Sequence, residues 1–470
     1  MVQTEKNMMM KRMRKKPAVP PGKMGLPWIG ETMEFHRAQK SNRLFEEFVR
    51  PRVAKHGKIF KTRIMGCPTV VVNSGPEVNR FLLSNEFKLV TSSWPSSAVE
   101  LMGNQCIMAI KQAHAHRFLR SLIATCLAHQ SSLETMVPKI CETVRSHLHK
   151  YWDNKIIISL YRSTKILTFR IVFECLFGVK NVEAEKLQET FERVLEGVFA
   201  LPFNIPGTKF WRAKKARQEI EKVLVNIVRE RKKEILVSKE GKEDEDDQGM
   251  LLSRLVGGMI RGEISEQEVV DNIVLLVFAA HDTTSFAIAM IFRMLAHHPS
   301  TLSLVLQEQS GIMKSKKIVG ENLTMEDTKK MRYTWQVAKE SMRLYPPIFG
   351  SFRKAITNVE YDGFLIPKGW KILWTTYGTH YNEDHFQDPQ VFDPRIFDEG
   401  KEMEPYVYLA FGGGTRICAG YQLAKLNILI FLHFVVTQYN WSLLYPQEPI
   451  TMDPLPSPSF GMPISISPML

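Results

Sequence analysis

Paired cysteines are missing from this sequence. The six that occur, Cys67, Cys106, Cys126, Cys141, Cys175 and Cys418, are scattered, and no two make a Cys-x-x-Cys pair. That spacing argues against a secreted disulfide framework and points to a reducing compartment. A leader is missing too: MVQTEKNMMMKRMRKK is polar and basic, without the ~7–15 apolar residues of a signal peptide or the ~20 of a membrane span. There is no fixed-period repeat, no Gly/Ser linker at which to divide the chain, and no flavin or nicotinamide fingerprint. The 470 residues therefore read as a basic tail without a transmembrane anchor (1–16) and a single domain (17–470). Acidic residues are in short supply, 49 against 62 Lys and Arg, for a net charge of +13. With no paired Cys/His zinc spacing and no RNP aromatic motif, this excess suits a membrane surface or an acidic protein, not nucleic acid.

What is present is mostly helix pattern. PAVPPGKMGLPWIGE is a stiff extended connector, and Ile59–Val72 reads as a hairpin of strands. From about Pro76 to Arg332, apolar residues recur every three or four positions, interrupted by the charged loop Lys239–Gly249. After Pro346, alternation and Gly/Pro punctuation mark strands, and a last helix is predicted from near Gly420 to about Thr437. The expected fold class is mainly α with smaller β sheets (α+β): an α-rich domain with a small β-rich lobe. Asp271–Ala296 is apolar on nearly every side but carries His281-Asp282-Thr283-Thr284 at its centre. A mid-bilayer Asp costs roughly 2.5–3.5 kcal/mol, so this segment is expected to be the central helix of a core and not a membrane span.

Only Cys418 sits among residues that suggest chemistry. In Phe411-Gly412-Gly413-Gly414-Thr415-Arg416-Ile417-Cys418-Ala419-Gly420, the glycines let backbone approach a flat object and adopt positive φ. Cys418 precedes a helix, whose N-terminus favours a thiolate. Arg416 offers a cation for an anionic group, and Phe411 a packing face. A porphyrin with propionates and a thiolate-ligated iron meets all four demands. The alternative is a glycine-rich turn around a buried free cysteine; a phosphate loop is excluded, since no Lys-Ser/Thr follows the glycines.

This segment resembles the haem-binding signature of the cytochrome P-450 superfamily, F-x-x-G-x-R-x-C-x-G, at every defined position. The resemblance runs from Pro20 to the C-terminus and implies the cytochrome P-450 fold, a haem (heme b) with Cys418 as axial iron ligand, and contacts from Phe411, Gly412, Gly414 and Arg416. Ala279-Ala280-His281-Asp282-Thr283-Thr284 is similar to the family's oxygen-activating motif, with Ala280 where glycine is usual. It implies that Thr283 hydrogen-bonds bound oxygen or a water and that Asp282 relays protons. A helical threonine also bonds back to a carbonyl four residues earlier, which is the structural alternative. Glu340 and Arg343, one helical turn apart, resemble the structural pair beneath the haem. His116, Arg120 and Arg353 resemble propionate contacts, with His114 as competitor to His116. One departure stands out: in Phe392-Asp393-Pro394-Arg395-Ile396-Phe397, Ile396 occupies the place of the family's arginine. One oxygen of Glu340 is therefore expected to lack a charged donor.

PPGKMGLPWIGE, FAAHDTTS and the tail DPLPSPSFGMPISISP resemble a plant branch of sterol, triterpenoid and taxane-type diterpenoid hydroxylases. The resemblance implies an apolar terpenoid substrate, with Leu276, Phe278, Ala279, Ile348, Phe349 and Phe460 lining its pocket; ordinary core packing is the alternative for each. It also implies electrons from NADPH through a cytochrome P-450 reductase, at the cytosolic face of the endoplasmic reticulum membrane. Since no anchor stands at the start of this sequence, a truncated or peripherally bound form is expected. KRMRKK and LPFNIPGTKFWRAKK (Leu201–Lys215) are the candidate lipid contacts. Three rival readings are a haem-thiolate peroxide isomerase or dehydratase, a non-catalytic haem-binding protein, and a membrane structural protein built on 271–296. Asp282-Thr283 argues against the first, the polar notch against the second, and the cost of Asp282 in lipid against the third.

Overall fold

The computed structural model describes residues 17–179, 184–238, 250–316, 321–401, 403–453 and 455–469. The basic tail 1–16 and the charged loop 239–249 lie outside them. Seven helices position the site: α1 (Ala113–Ala128), α2 (Leu160–Ile171), α3 (Ala184–Val198), α4 (Lys209–Ser238), α5 (Glu266–His297), α6 (Arg332–Leu344) and α7 (Tyr421–Gln438). The last starts within a residue of the expected place.

Helix α5 is the organising element. Ser265 opens it with a capping box: its hydroxyl accepts from the Glu268 N–H (3.1 Å), while the Glu268 carboxylate accepts from the Ser265 N–H (2.7 Å). Pro299 follows closely on its end at His297. It is the one described helix long and apolar enough to cross a membrane, but 72% of its most apolar stretch is buried inside the protein. Burying each Val, Leu, Ile or Phe contributes roughly 1.5–3 kcal/mol, so the long apolar run is accounted for by α2, α4, α6 and α7 packed around it. One stripe is left open. Leu276, the adjacent pair Ala279 and Ala280, and Thr283, spaced by one helical turn, are only partly buried or exposed, while most of their neighbours on the helix are buried.

The β-rich lobe is a five-stranded sheet of β1 (Ile59–Ile64), β2 (Cys67–Val72), β3 (Val90–Ser92), β4 (Gly350–Ala355) and β5 (Lys371–Thr375), in the order β1-β2-β5-β4-β3. All pairings are antiparallel except β2 with β5, where Thr69 lies beside Lys371 and Val72 beside Trp374. The Pro-rich connector follows this sheet, with the Lys61 N–H donating to the Pro21 carbonyl (2.7 Å). A three-stranded sheet joins Ile157–Ser159, Pro463–Pro468 and Tyr439–Leu443. The helices share one large apolar core, and two smaller cores lie against the five-stranded sheet.

Candidate active site

The loop before α7 is closed by the Cys418 N–H donating to the Phe411 carbonyl at 2.9 Å. Gly412 (φ 71°) and Gly414 (φ 64°) are both left-handed, which a side chain would strain. Their surroundings differ. A Cβ on Gly412 would project into open space, whereas one on Gly414 would strike the Leu83 carbonyl. Gly412 therefore leaves a face free for close approach, and Gly414 serves packing against the short helix Pro76–Ser84 that carries Leu83. The Phe411 ring meets Tyr421 edge-on, centroids 4.7 Å apart. Cys418 has accessible surface, yet burial pushes its thiol up, with the Gly420 N–H and Arg120 pulling the other way. Gly420 is the N-cap of α7, so the helix N-terminus does favour the thiolate, as the sequence suggests, but burial outweighs it.

Around Cys418 positive charge gathers. Arg416 donates to Glu86 (2.8 Å) and to the Ile107 and Ile110 carbonyls (3.2 and 2.8 Å). Arg353, on β4, lies 3.1 Å from the other Glu86 oxygen; burial and then Arg416 lower it to about 10, with Glu86 opposing. Arg120 makes no hydrogen bond or ion pair among the described residues and feels both Cys418 and Arg416. His116, one turn earlier on α1, is buried with its Nδ1 unpartnered. Burial, Arg416 and Arg120 lower it to about 4. His114, its competitor, is exposed. Phe87, left-handed at φ 68°, lies between them: its ring centroid is 5.2 Å from that of His116 and 4.9 Å from the Arg416 guanidinium. Three guanidinium groups thus gather near an accessible sulfur, and the one carboxylate among them, Glu86, pairs with only two, Arg353 and Arg416. That surplus, the orphaned His116 nitrogen and the open face at Gly412 fit a haem held through Cys418, with its two carboxylates toward Arg120, Arg353, Arg416 and His116.

On α5, the two central residues diverge. The Thr283 hydroxyl donates to the Ala279 carbonyl (2.6 Å), which leaves its oxygen free to accept. Asp282 is turned away from the open stripe, toward α2. Lys165 lies 3.1 Å from one of its oxygens and His281 Nδ1 3.0 Å from the other. Burial opposes ionisation of Asp282, but His281 and Lys165 outweigh it and hold the carboxyl well below its usual range. Lys165 also binds Glu192 on α3 (2.7 Å).

Beneath the loop, Arg343 grips Glu340 through two bonds (2.7 and 2.8 Å), and both are buried. Arg343 also donates to the carbonyls of His380, Pro389 and Val391. The expectation that one oxygen of Glu340 lacks a charged donor is corrected here, since Arg343 donates to both of them. The backbone N–H of Asp393 also donates to Glu340 at 3.0 Å, while Arg395 turns outward and pairs with Asp393. A main-chain donor stands where the family's arginine was expected.

The pocket residues read from sequence do not all converge. Leu276 and Ala279 belong to the open stripe of α5, and Phe278 is partly buried beside it. Ile348 is 41% exposed. Phe349 instead stacks on Tyr377 within the small core of the β lobe, and Phe460, 60% exposed, lies against Tyr445. Two open surface clefts, about 560 and 380 Å³, flank Tyr381 and include none of these residues. Sequence reading missed Glu86, Lys165 and His380. Each is a lone polar residue without a motif, and only long-range pairing brings it to the site.

Comparison with known proteins agrees with this geometry. A family model described as cytochrome P-450 matches residues 20–466. The chain is 38% identical to taxane 13-alpha-hydroxylase of Taxus cuspidata, over 95% of this chain and 92% of that protein. It is 37% identical to protopanaxadiol 6-hydroxylase of Panax ginseng, over 96% and 93%. Among solved structures, the retinoic acid-bound cyanobacterial protein CYP120A1 superposes with a TM-score of 0.84 at 29% identity, over 96% of this chain and 99% of that one.

Proposed function

The chain belongs to the cytochrome P-450 family and is a monooxygenase, and on that premise we propose that it hydroxylates a bulky, apolar terpenoid at one carbon. The observation that carries this reading is the open stripe of α5, where Leu276 and Ala279 offer an apolar wall and Thr283 the hydroxyl beside it. Its relatives point the same way, since a taxane and protopanaxadiol name the activities of two of them. Haem, when bound through Cys418, supplies the activation of O₂ and transfer of one oxygen atom.

The protein's own residues have four tasks. Arg120, Arg353, Arg416 and His116 bind and orient the haem carboxylates. Leu276, Phe278, Ala279 and Ile348 present apolar surface to the substrate. Thr283 holds a water or proton donor through its free lone pairs. Asp282, turned toward α2 and fixed there by Lys165 and His281, anchors the central turn of α5 so that Thr283 faces the stripe, in place of the proton relay that the resemblance implied. Electrons come from NADPH through a cytochrome P-450 reductase, whose acidic surface suits a chain of net charge +13. We place the enzyme at the cytosolic face of the endoplasmic reticulum membrane. Exposed Leu201, Phe203 and Ile205, followed by a basic run through Lys214 and Lys215, support lipid contact there.

The test is a carbon monoxide difference spectrum of the reduced protein, then a panel of terpenoids with reductase and NADPH. Cys418→Ala is expected to abolish the red-shifted band and turnover together. A variant that keeps both would overturn the assignment of Cys418, and a wild-type protein that oxidises no terpenoid would overturn the substrate class.

A further inference from the structure

Arg416 does more than pair with Glu86. Two of its three nitrogens are held by main-chain oxygens, those of Ile107 and Ile110. The geometry of Arg416, two residues from Cys418, therefore depends on where the segment 103–110 sits. That segment contains no regular helix or strand. It closes on itself only through turn bonds, from the Cys106 N–H to the Gly103 carbonyl and from the Ala109 and Ile110 N–H groups to the Cys106 carbonyl.

It is fastened from outside by the first two turns of α5. The Asp271 carboxylate accepts from the Gln105 N–H (3.1 Å), and the side-chain Oδ1 of Asn272 accepts from the Ile107 N–H (2.9 Å). Both side chains are buried, at 2% and 0% exposure. Gly103, at φ 102°, is where the approach is tightest: a Cβ there would fall 2.0 Å from Asp271 Cγ. The other Asp271 oxygen accepts from Arg217 of α4 at 2.8 Å, and Arg217 also donates to the Leu101 carbonyl (3.1 Å), just ahead of the segment. Arg217 is itself buried, so this ion pair is shielded from solvent.

We infer that Arg217 and Asp271 are positioning residues which lock the 103–110 segment between α4 and α5 and thereby hold Arg416 in place for the haem. The physical reason is directness: every link from α4 to Arg416 is a hydrogen bond or one short stretch of backbone. Without the guanidinium, the buried Asp271 carboxylate keeps only the neutral donors Gln267 and Gln105 and no counter-charge, which favours its protonation or displacement. Either response loosens its hold on Gln105. Elsewhere on the molecule, Lys165 fixes Asp282 in a comparable way, but it does not touch the segment that carries Arg416.

This inference rests on the haem reading of the site, and its test separates the two. Haem-loaded wild type, Arg217→Met and Arg217→Lys are compared by transfer of haem to excess apomyoglobin and by amide hydrogen exchange over residues 103–110. Arg217→Met is expected to release haem roughly tenfold faster, within the range by which residues away from a ligand alter its hold. Faster exchange is expected at the Gln105 and Ile107 amides, with the exchange of α7 unchanged. Arg217→Lys, which keeps the charge, should recover part of both. If Arg217→Met folds poorly, Asp271→Asn gives the same reading, because it keeps the shape and removes the charge. Equal haem release and equal exchange in these variants would overturn the latch while leaving the haem site standing. A wild-type protein that takes up no haem would instead overturn the reading on which it rests.

Discussion

Thr283 shows how one side chain serves helix and chemistry together. Its hydroxyl proton is committed to the Ala279 carbonyl, so what it offers the open stripe is an acceptor. Thr283→Val keeps the shape and removes that acceptor. NADPH and O₂ consumption are expected to continue, with more hydrogen peroxide formed per product; an unchanged yield of product per NADPH would remove Thr283 from proton handling. Ile396 makes the opposite case, a departure without a deficit. Because the Asp393 N–H already donates to Glu340, an arginine at this place has no vacant oxygen to fill. Ile396→Arg is expected to leave the melting temperature and the haem-loaded fraction unchanged. A rise in either would show that a charged donor, worth roughly 1.5–3 kcal/mol, does what the backbone donor does not.

Between elements, His380 is the joint. Its Nδ1 donates to the Arg343 carbonyl (3.2 Å) and its Nε2 accepts from the Leu409 N–H (2.8 Å), a pattern only the neutral ring satisfies. It so ties α6, with its Glu340–Arg343 pair, to the irregular stretch that runs into the Phe411–Cys418 loop. His380→Phe leaves the Leu409 N–H and the Arg343 carbonyl each one partner short. A loss of about 1–3 kcal/mol is expected, the cost of stranding a buried polar group. Denaturant melts of the variant check this, and a loss well under 1 kcal/mol would show that water replaces the ring.

Across the whole molecule, histidine burial sets the response to acid. Burial lowers His116 and His433 to about 4, and His147 and His380 to about 3. All four have folded values below the ordinary ~6.5 of the unfolded chain. Between those values the unfolded state binds more protons, so stability is fully present above about pH 6.5 and falls as pH drops toward 4. Each group contributes a slope of up to ~1.4 kcal/mol per pH unit. Asp282, also depressed, adds its loss only below the ordinary carboxylate range. Denaturant midpoints are therefore expected to decline already between pH 6.5 and 5; a flat profile there would show that these histidines ionise in the folded protein.

How much of this was legible beforehand follows from the range of the forces involved. The ten residues from Phe411 to Gly420, the apolar helix with its polar notch, and the Glu340–Arg343 turn could be read directly. In each, the pattern lies within a few turns of chain, where periodicity and backbone freedom are local properties. The small β lobe and the course of α7 were legible for the same reason. What the tertiary structure alone decided is which way the polar groups turn and what answers them. Asp282 and Thr283 are neighbours in sequence, but helix geometry sends them to different faces, and only the packing of α2 supplies Lys165 to the first. Glu86 meets both Arg353 and Arg416 because strand β3 lies beside β4, a pairing across more than 250 residues. Phe349 and Phe460 have the right chemistry for a pocket wall, yet packing sends one to the β lobe and the other to the surface. Burial raises the Cys418 thiol although the Gly420 N–H and Arg120 pull it down, because loss of water around an ion depends on how the whole chain packs and not on local sequence.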